Sequence, residues 1–372
     1  MVTENKSSAP AAVSAYLSLV IPCYNEEKTL KSCVERCMRL KEHGIRLELV
    51  IVDDCSTDKS YAVAQEIAGQ HPNEITLCHH EVNQGKGAAL RTGFTKAHGD
   101  FVGVQDADAE YEPLDYLVLL STIIRNSADV VFGSRYLRQE CRRVLYFWHT
   151  WMNRTLTFLS NMFTNLDISD METCYKLFRR ESIQKIAPLL RENRFGFEPE
   201  VTIQVARHKL RVYECAIHYE PRTYEEGKKI GWKDGLRALY CILHYGAPDA
   251  PLPMQLIQYF FIGLICALAN LWLFSMLMLT GIPLAACTVT AFLLAAALNY
   301  VLCITILFRH KARWSSAGEI LAYLLTITVM CGFDFGITAG LMSLGVSAFW
   351  SKSWSTFLGF FGNFILRKIL VF

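Results

Sequence analysis

Charge is scarce in this chain of 372 residues: Asp, Glu, Lys and Arg make up 19% of it, against about 25% in an average soluble protein. The shortage is local. Between Asp249 and Arg309 there are 59 consecutive residues without a charged side chain, whereas one membrane helix needs about 20 apolar residues. A fully soluble protein is excluded. A basic excess is missing as well. The first 253 residues hold 31 basic and 33 acidic side chains, so the polar part lacks the cationic face that nucleic acid requires, and no nucleic acid is expected as a partner. No cleavable export signal is expected, because Met1 to Ser14 is polar and has no apolar core. The 13 cysteines lack metal-ligand spacing, and several, such as Cys266, Cys287, Cys303 and Cys331, lie in apolar stretches. Cysteine acts there as a small hydrophobe; the thiols read as reduced and the polar part as cytosolic.

From Tyr16 onward, short apolar runs alternate with longer amphipathic stretches. Strands are expected at Leu17–Pro22, Leu47–Asp54, Ile75–His80, Phe101–Asp108 and Ala128–Tyr136, with helices between them. Strands without polar alternation, spaced by helices, predict a doubly wound, Rossmann-like and mainly parallel α/β sheet covered on both faces. Ligands of such sheets bind beyond the carboxyl ends of the strands, where Asp53, Asp54, Asp106 and Asp108 all fall. The aromatic stretches 145–165 and 231–245 read either as core helices or as helices lying in the membrane interface. Pro248, Pro251 and Pro253 mark a boundary, beyond which four spans fit: Leu256–Leu279, Pro283–Phe308, Ile320–Leu344 and about Ser347–Leu366. Basic residues follow the second and fourth spans, which places both chain ends in the cytoplasm. The expected organisation is a disordered segment 1–15, an α/β domain 16–230, an interfacial helix and linker 231–253, and an all-α four-helix transmembrane domain 254–372. Asp334 stands alone in the third span and reads equally as a functional group or as a partner for Asn270, Asn299 or Asn363.

Three motifs carry chemistry. Asp106-Ala107-Asp108, followed by Glu110, sets two carboxylates at the end of a strand, a pattern that suits Mg²⁺ or Mn²⁺ shared with substrate phosphates; the plain alternative is a solvated acidic turn. Asp53 and Asp54 end a strand, where an acid can accept from a nucleobase or ribose or cap the next helix. In Asn83-Gln84-Gly85-Lys86-Gly87-Ala88, glycines would let the backbone approach a phosphate while Lys86 adds charge at a helix start. The segment lacks the Walker pattern, which argues against an ATPase.

Together with Pro22-Cys23-Tyr24-Asn25-Glu26-Glu27, Gly133-Ser134-Arg135-Tyr136, Asp170 to Lys176 and Gly227 to Trp232, these motifs stand in the order found in family 2 glycosyltransferases of the GT-A fold. Over roughly residues 16–245 the chain resembles the dolichyl-phosphate mannosyltransferase and bactoprenol glucosyltransferase group. The remainder, ending in Asn363-Phe364-Ile365-Leu366-Arg367-Lys368, is similar to GtrA-like four-span domains, which are proposed to help translocate lipid-linked sugars. The resemblance implies a donor-nucleotide site at Pro22, Tyr24, Glu26, Asp53, Asp54, Lys86 and Asp106, and a Mg²⁺ or Mn²⁺ site at Asp106, Asp108 and Glu110. Arg135 would bind acceptor phosphate. His149 and Asn153 stand where relatives carry Arg and Ser, a departure from the family pattern. Arg222 and Lys228 lie in a charged loop whose counterpart closes on the phosphates. Asp106, Asp108 and Arg135 are the catalytic candidates.

The implied reaction moves a hexose, with inversion, from a nucleotide-sugar such as GDP-mannose or UDP-glucose to undecaprenyl or dolichyl phosphate. The product would be a polyprenyl-phosphate-linked monosaccharide for cell-envelope glycosylation. The implied setting is a bacterial inner membrane with the catalytic domain on its cytoplasmic side and homo-oligomerisation left open. Two rivals remain at this point. A processive polysaccharide synthase would carry Gln-x-x-Arg-Trp, and Arg313-Trp314 lacks the glutamine. A non-catalytic translocase or scaffold would not need the acids.

Overall fold

The computed structural model describes residues 15–137, 143–221, 231–281, 283–307 and 316–371, and the chain divides into two units, Met1–Asp249 and Ala250–Phe372. Arg222 and Lys228 thus lie outside the described residues, as does the segment 1–14.

The first unit runs β1 (Tyr16–Cys23), α1 (Leu30–Met38), β2 (Arg46–Asp53), α2 (Ser60–Gln70), β3 (Ile75–His79), α3 (Lys86–Lys96), β4 (Phe101–Val104), α4 (Tyr116–Arg125) and β5 (Val130–Ser134). It continues with α5 (Phe147–Thr164), β6 (Lys176–Arg179), α6 (Arg180–Ile186), α7 (Phe197–Arg207), β7 (Val212–Ala216) and α8 (Trp232–Gly246). The strands form one sheet of order β3-β2-β1-β4-β6-β5-β7. All neighbours are parallel except β6, which runs against both β4 and β5. The doubly wound α/β expectation holds. Its cause is visible in β1 and β2, where Leu17, Leu19, Val20, Ile21, Leu49, Val50, Ile51 and Val52 have no exposure. Helices cover both faces, so these strands need apolar side chains on each side.

The fourth strand is shorter than the sequence suggests: it stops at Val104, not Asp108. The Tyr116 hydroxyl donates to Val104 O (2.6 Å), and that of Tyr175 to Gln105 Oε1 (2.6 Å), which ties down the turn that follows. Ala109 has a φ of 62°, in the left-handed region, so the Asp106–Glu110 segment is a turn rather than a strand end. The reversed β6 pairs Lys176 with Phe132. Its first residue therefore lies on the edge where the parallel strands end.

Helix α8 belongs to the first unit. Arg237 grips Glu192 through Nε (3.1 Å) and Nη2 (2.8 Å), the Arg207 guanidinium donates to Tyr245 O, and Ala238, Cys241 and Ile242 are buried. It packs beside α5. The two helices leave Phe147, Trp148, Trp151, Trp232, Leu236 and Tyr240 exposed.

The second unit is helical: α9 (Leu252–Leu279), α10 (Leu284–Leu302), α11 (Ser316–Ser343) and α12 (Ala348–Leu366). A π-helical stretch follows α10 (Cys303–Leu307) and another follows α12 (Arg367–Val371). Its core joins Tyr259, Ile262, Cys266, Cys303, Leu307 and Phe364. Among the described residues, Leu252–Leu277 is the helix long and apolar enough to cross a membrane, with a mean hydropathy of 2.2. The side chain of Asp334 lies outside the described residues.

Candidate functional site

The loops after β1 and β2 are knitted together. Asn25, in the left-handed region at φ 55°, donates through its backbone N to Ser56 Oγ (3.0 Å), and its side-chain oxygen accepts from Thr57 N (2.8 Å). Glu26 N donates to Ser60 Oγ (2.7 Å). This frame holds Pro22, Tyr24, Glu26 and Asp53 along one edge, with the Tyr24 ring 38% exposed.

Asp53 and Asp54 divide the work that the sequence leaves undivided. Asp54 is consumed internally: Oδ1 accepts from Gln84 N (2.9 Å) and His80 Nδ1 (2.7 Å), and Oδ2 from Gly85 N (2.6 Å). Asp53 is also buried, but only Oδ2 is engaged, by Ser56 N (3.2 Å) and His79 Nδ1 (2.9 Å). Its Oδ1 is buried without a partner. A buried acceptor left open costs roughly 1–3 kcal/mol, so Asp53 is the acid of the pair with an oxygen left for a ligand. His79, which fixes Asp53 and lies with its ring 4.3 Å from that of Tyr61, tilted by 39°, is a site residue the sequence reading missed.

The glycines of the Asn83–Ala88 segment serve the protein backbone. A Cβ on Gly85 would lie 2.4 Å from Asn193 O, and one on Gly87 2.2 Å from Glu192 O. The close approach expected for a phosphate is made instead to the segment before α7. Lys86 turns inward, with Nζ 3.0 Å from Asp106 Oδ1 and 2.9 Å from Glu198 Oε1. Burial alone would lower its pKa, but Asp106 and Glu198 outweigh it and hold the ammonium well above its ordinary value.

Glu198 opens α7 and was also missed. It is buried, its Oε2 has no partner, and it faces Glu172, whose Oε1 is likewise buried and unpartnered. Burial, then the charge of Glu198, pushes the Glu172 carboxyl up to about 8. Lys176 lies fully buried nearby and donates to Met171 O (2.9 Å) and Thr173 O; burial lowers its pKa. Two acids in the first turn of a helix read as ordinary dipole complements, which hid Glu198 from sequence reasoning.

Beyond β4, Asp106 and Asp108 leave the same turn, and Asp108 Oδ1 accepts from Glu110 N (3.1 Å). Glu110 is buried, and its Oε2 accepts from the Tyr219 hydroxyl (2.8 Å). Among the described residues no three His, Cys, Asp or Glu side chains converge as metal ligands. The fit to a divalent ion rests on Asp106, Asp108 and Glu110, which leave one turn, with oxygens from a substrate. The ammonium of Lys86, within 3.1 Å of both Asp106 oxygens, already stands as a cation at that carboxylate.

At the end of β5, Arg135, its side chain 13% exposed, lies against the buried Asp170. Its Nε and Nη2 lie 2.7 and 2.8 Å from the two carboxylate oxygens, and its backbone N donates to Oδ2 (3.1 Å). Burial would lower the Arg135 pKa; the Asp170 charge overrides this and raises it well above the usual value. Asn153 of α5 joins them, donating to Asp170 Oδ1 (3.1 Å) and accepting from Arg135 Nη2 (3.3 Å). The structure thus brings Arg135 and Asn153 together and assigns Asp170 to orienting both. His149, one turn earlier, is exposed. The Tyr219 ring lies 5.1 Å from the Arg135 guanidinium while its hydroxyl holds Glu110. One tyrosine links the cationic clamp to the acidic turn.

Residues 18–187 match Glycosyl transferase family 2, and residues 258–372 match the GtrA/DPMS transmembrane domain. The chain joins a family 2 glycosyl transferase domain to a GtrA/DPMS transmembrane domain, and is a membrane protein. It is 32% identical over 218 residues to dolichyl-phosphate beta-glucosyltransferase ALG5A of Trichomonas vaginalis, covering 55% of this chain and 66% of that protein. It spans just under two thirds of that relative's length. With dolichol-phosphate mannosyltransferase of Pyrococcus furiosus it is 26% identical over 275 residues, 72% of this chain and 74% of that one. A crystal structure of glucosyl-3-phosphoglycerate synthase from Mycobacterium tuberculosis, in complex with Mn²⁺, UDP and phosphoglyceric acid, is similar at a TM-score of 0.49. That likeness has 17% identity and covers 62% of this chain and 78% of the other.

Proposed function

We propose that this protein transfers a hexose from a nucleotide-sugar, GDP-mannose or UDP-glucose, to a polyprenyl phosphate, with inversion at the anomeric carbon. The observation that carries the reading is the pairing through Tyr219 of an acidic turn with an arginine clamp. Such a transfer must bring two phosphate-bearing substrates together, and this edge offers each a separate partner. The dolichyl-phosphate transferases among the relatives support the lipid acceptor.

Each residue has a physical task. Asp53 Oδ1 accepts from the nucleoside, beside Pro22, Tyr24 and Glu26. Asp106, Asp108 and Glu110 would hold Mg²⁺ or Mn²⁺, which when bound would neutralise the leaving diphosphate. Arg135, preset by Asp170 and Asn153, presents its remaining N–H groups to the acceptor phosphate; a guanidinium suits phosphate because it donates in pairs. His149, Arg222 and Lys228 extend that contact. A lipid monophosphate is already an anionic nucleophile, so the general base that contributes about 10²–10⁴-fold in transfers to a hydroxyl is not required. Single displacement then inverts the anomeric centre.

The exposed aromatic faces of α5 and α8 suit the headgroup layer, where Trp and Tyr are favoured. The second unit provides four spans, with both termini and the catalytic domain cytoplasmic.

Protein in detergent, with undecaprenyl phosphate, Mn²⁺ or Mg²⁺ and radiolabelled donors tested singly, should place label in the organic phase. Asp108→Ala and chelator should each abolish it. Free nucleoside diphosphate without labelled lipid, from every donor, would overturn the lipid acceptor.

A further inference from the structure

The second unit buries a cation among neutral groups. Arg367, where α12 passes into its π-helical end, is 6% exposed. Its Nε donates to Asn363 Oδ1 (2.9 Å) and its Nη1 to Asn299 Oδ1. Its guanidinium carbon lies 4.7 Å from the Tyr323 ring centroid and 5.8 Å from that of Tyr259. Helices α9, α10, α11 and α12 each supply one contact. Two amides and two aromatic faces accept hydrogen bonds and polarise toward a cation, but none carries a countercharge. Among the described residues, no carboxylate pairs with Arg367.

A second observation points to a missing guest. Gln258 on α9 is 9% exposed, and neither its amide nitrogen nor its amide oxygen has a partner. It shares a helix face with Gln255, which accepts from Lys368 Nζ (2.8 Å), and with Tyr259, which faces Arg367. Both π-helical stretches also begin at this cluster, one at Arg367 and one at Cys303, whose sulfur lies 3.8 Å from Asn299 Oδ1. Such irregular turns occur often at functional sites.

A buried guanidinium without a countercharge is costly, and in a membrane domain it pairs or marks a binding route. We propose that Arg367, with Gln258 and Lys368, forms a binding site in the second unit for the phosphate group of a lipid. The guanidinium fork matches phosphate oxygens, the Gln258 amide supplies a further donor, and the apolar core around Tyr259 and Phe364 suits a ligand whose phosphate is carried on hydrocarbon. The site is built from residues of the second unit alone and stands whether or not the transfer reaction does.

Native mass spectrometry of the full chain in detergent, with undecaprenyl phosphate as probe, tests it. Wild type should retain two lipid phosphates, Arg135→Ala one and Arg367→Gln one, irrespective of any turnover. Gln258→Leu, which keeps the buried arginine in place, should weaken the second site several-fold without lowering the melting temperature in the absence of lipid. Equal lipid counts and equal lipid-induced melting shifts in wild type and Arg367→Gln would overturn the proposal. A shift produced by inorganic phosphate alone, and lost in Arg367→Gln, would overturn the lipid assignment. The side chain of Glu319 on α11 lies outside the described residues; equal destabilisation by Glu319→Gln and Arg367→Gln, with the lipid count unchanged, would name it as the countercharge and overturn the site.

Discussion

Arg135 and Arg367 are both guanidinium groups largely withdrawn from solvent, one at the edge of a sheet and the other among membrane-domain helices. Arg135 meets a carboxylate along its fork, with an asparagine completing the contact. Arg367 meets two asparagines and two tyrosine rings. The first arrangement balances charge within the protein and fixes geometry, so removing either partner strands the other. The second satisfies hydrogen bonds and meets no countercharge among the described residues, the arrangement on which the proposed anion site rests.

The sharpest way to break that comparison is Asp170→Ala. It strands Arg135 in a buried setting and should cost about 3–5 kcal/mol, read from urea unfolding of the first unit. Arg135→Met in the same chain should recover much of the loss, because no buried charge then remains. The next largest effect separates Asp54 from Asp53. Asp54→Asn gives up charge-assisted bonds to two backbone N–H groups and should lose about 1.5–3 kcal/mol. Asp53→Asn should change stability less and instead weaken nucleoside diphosphate binding, measurable by calorimetry. Gly85→Ala adds a Cβ 2.4 Å from Asn193 O at a φ of 97°, and should destabilise by about 1–3 kcal/mol. The most gradual effect is a slope. The Glu172 carboxyl is raised to about 8 in the fold, so the folded state holds a proton that the unfolded chain releases near pH 4.5. Its contribution is full below that pH and is lost as pH climbs toward 8, at no more than about 1.4 kcal/mol per pH unit. Glu172→Gln should flatten the corresponding fall in melting temperature.

Strands β1 to β3 and β5 were legible to within two residues because each is an apolar run bounded by turns. Strand β4 was overextended: the apolar run ends at Val104, and Gln105 to Asp108, read as its carboxyl end, is bent by the tyrosines that hold Val104 and Gln105. Strands β6 and β7 were not anticipated. The first begins with a buried lysine, and the second carries Glu214, whose carboxylate accepts from Ser169 N (2.8 Å). At the site, spacing identified which acids lie on the edge but not which way they point. Asp53 and Asp54 look equivalent in one dimension; only His79, His80 and the Gln84–Gly85 turn separate their roles. Likewise Gly85 and Gly87 are explained by Glu192 and Asn193, a hundred positions away, a separation no local pattern reveals.

The reversal of β6 has a consequence for how tolerant this edge can be of insertions and deletions. A parallel strand would reach the site only after crossing the sheet, behind a helix that absorbs changes of length. Because β6 starts at the edge, Asp170 lies six residues before Lys176, which is itself locked beside Phe132. Length added between them has nowhere to be absorbed, so the tether works as a ruler whose graduations are single residues. A drifting lineage could rewrite much of the surface of this domain, yet the distance from Asp170 to Lys176 would be among the last things it could spell differently.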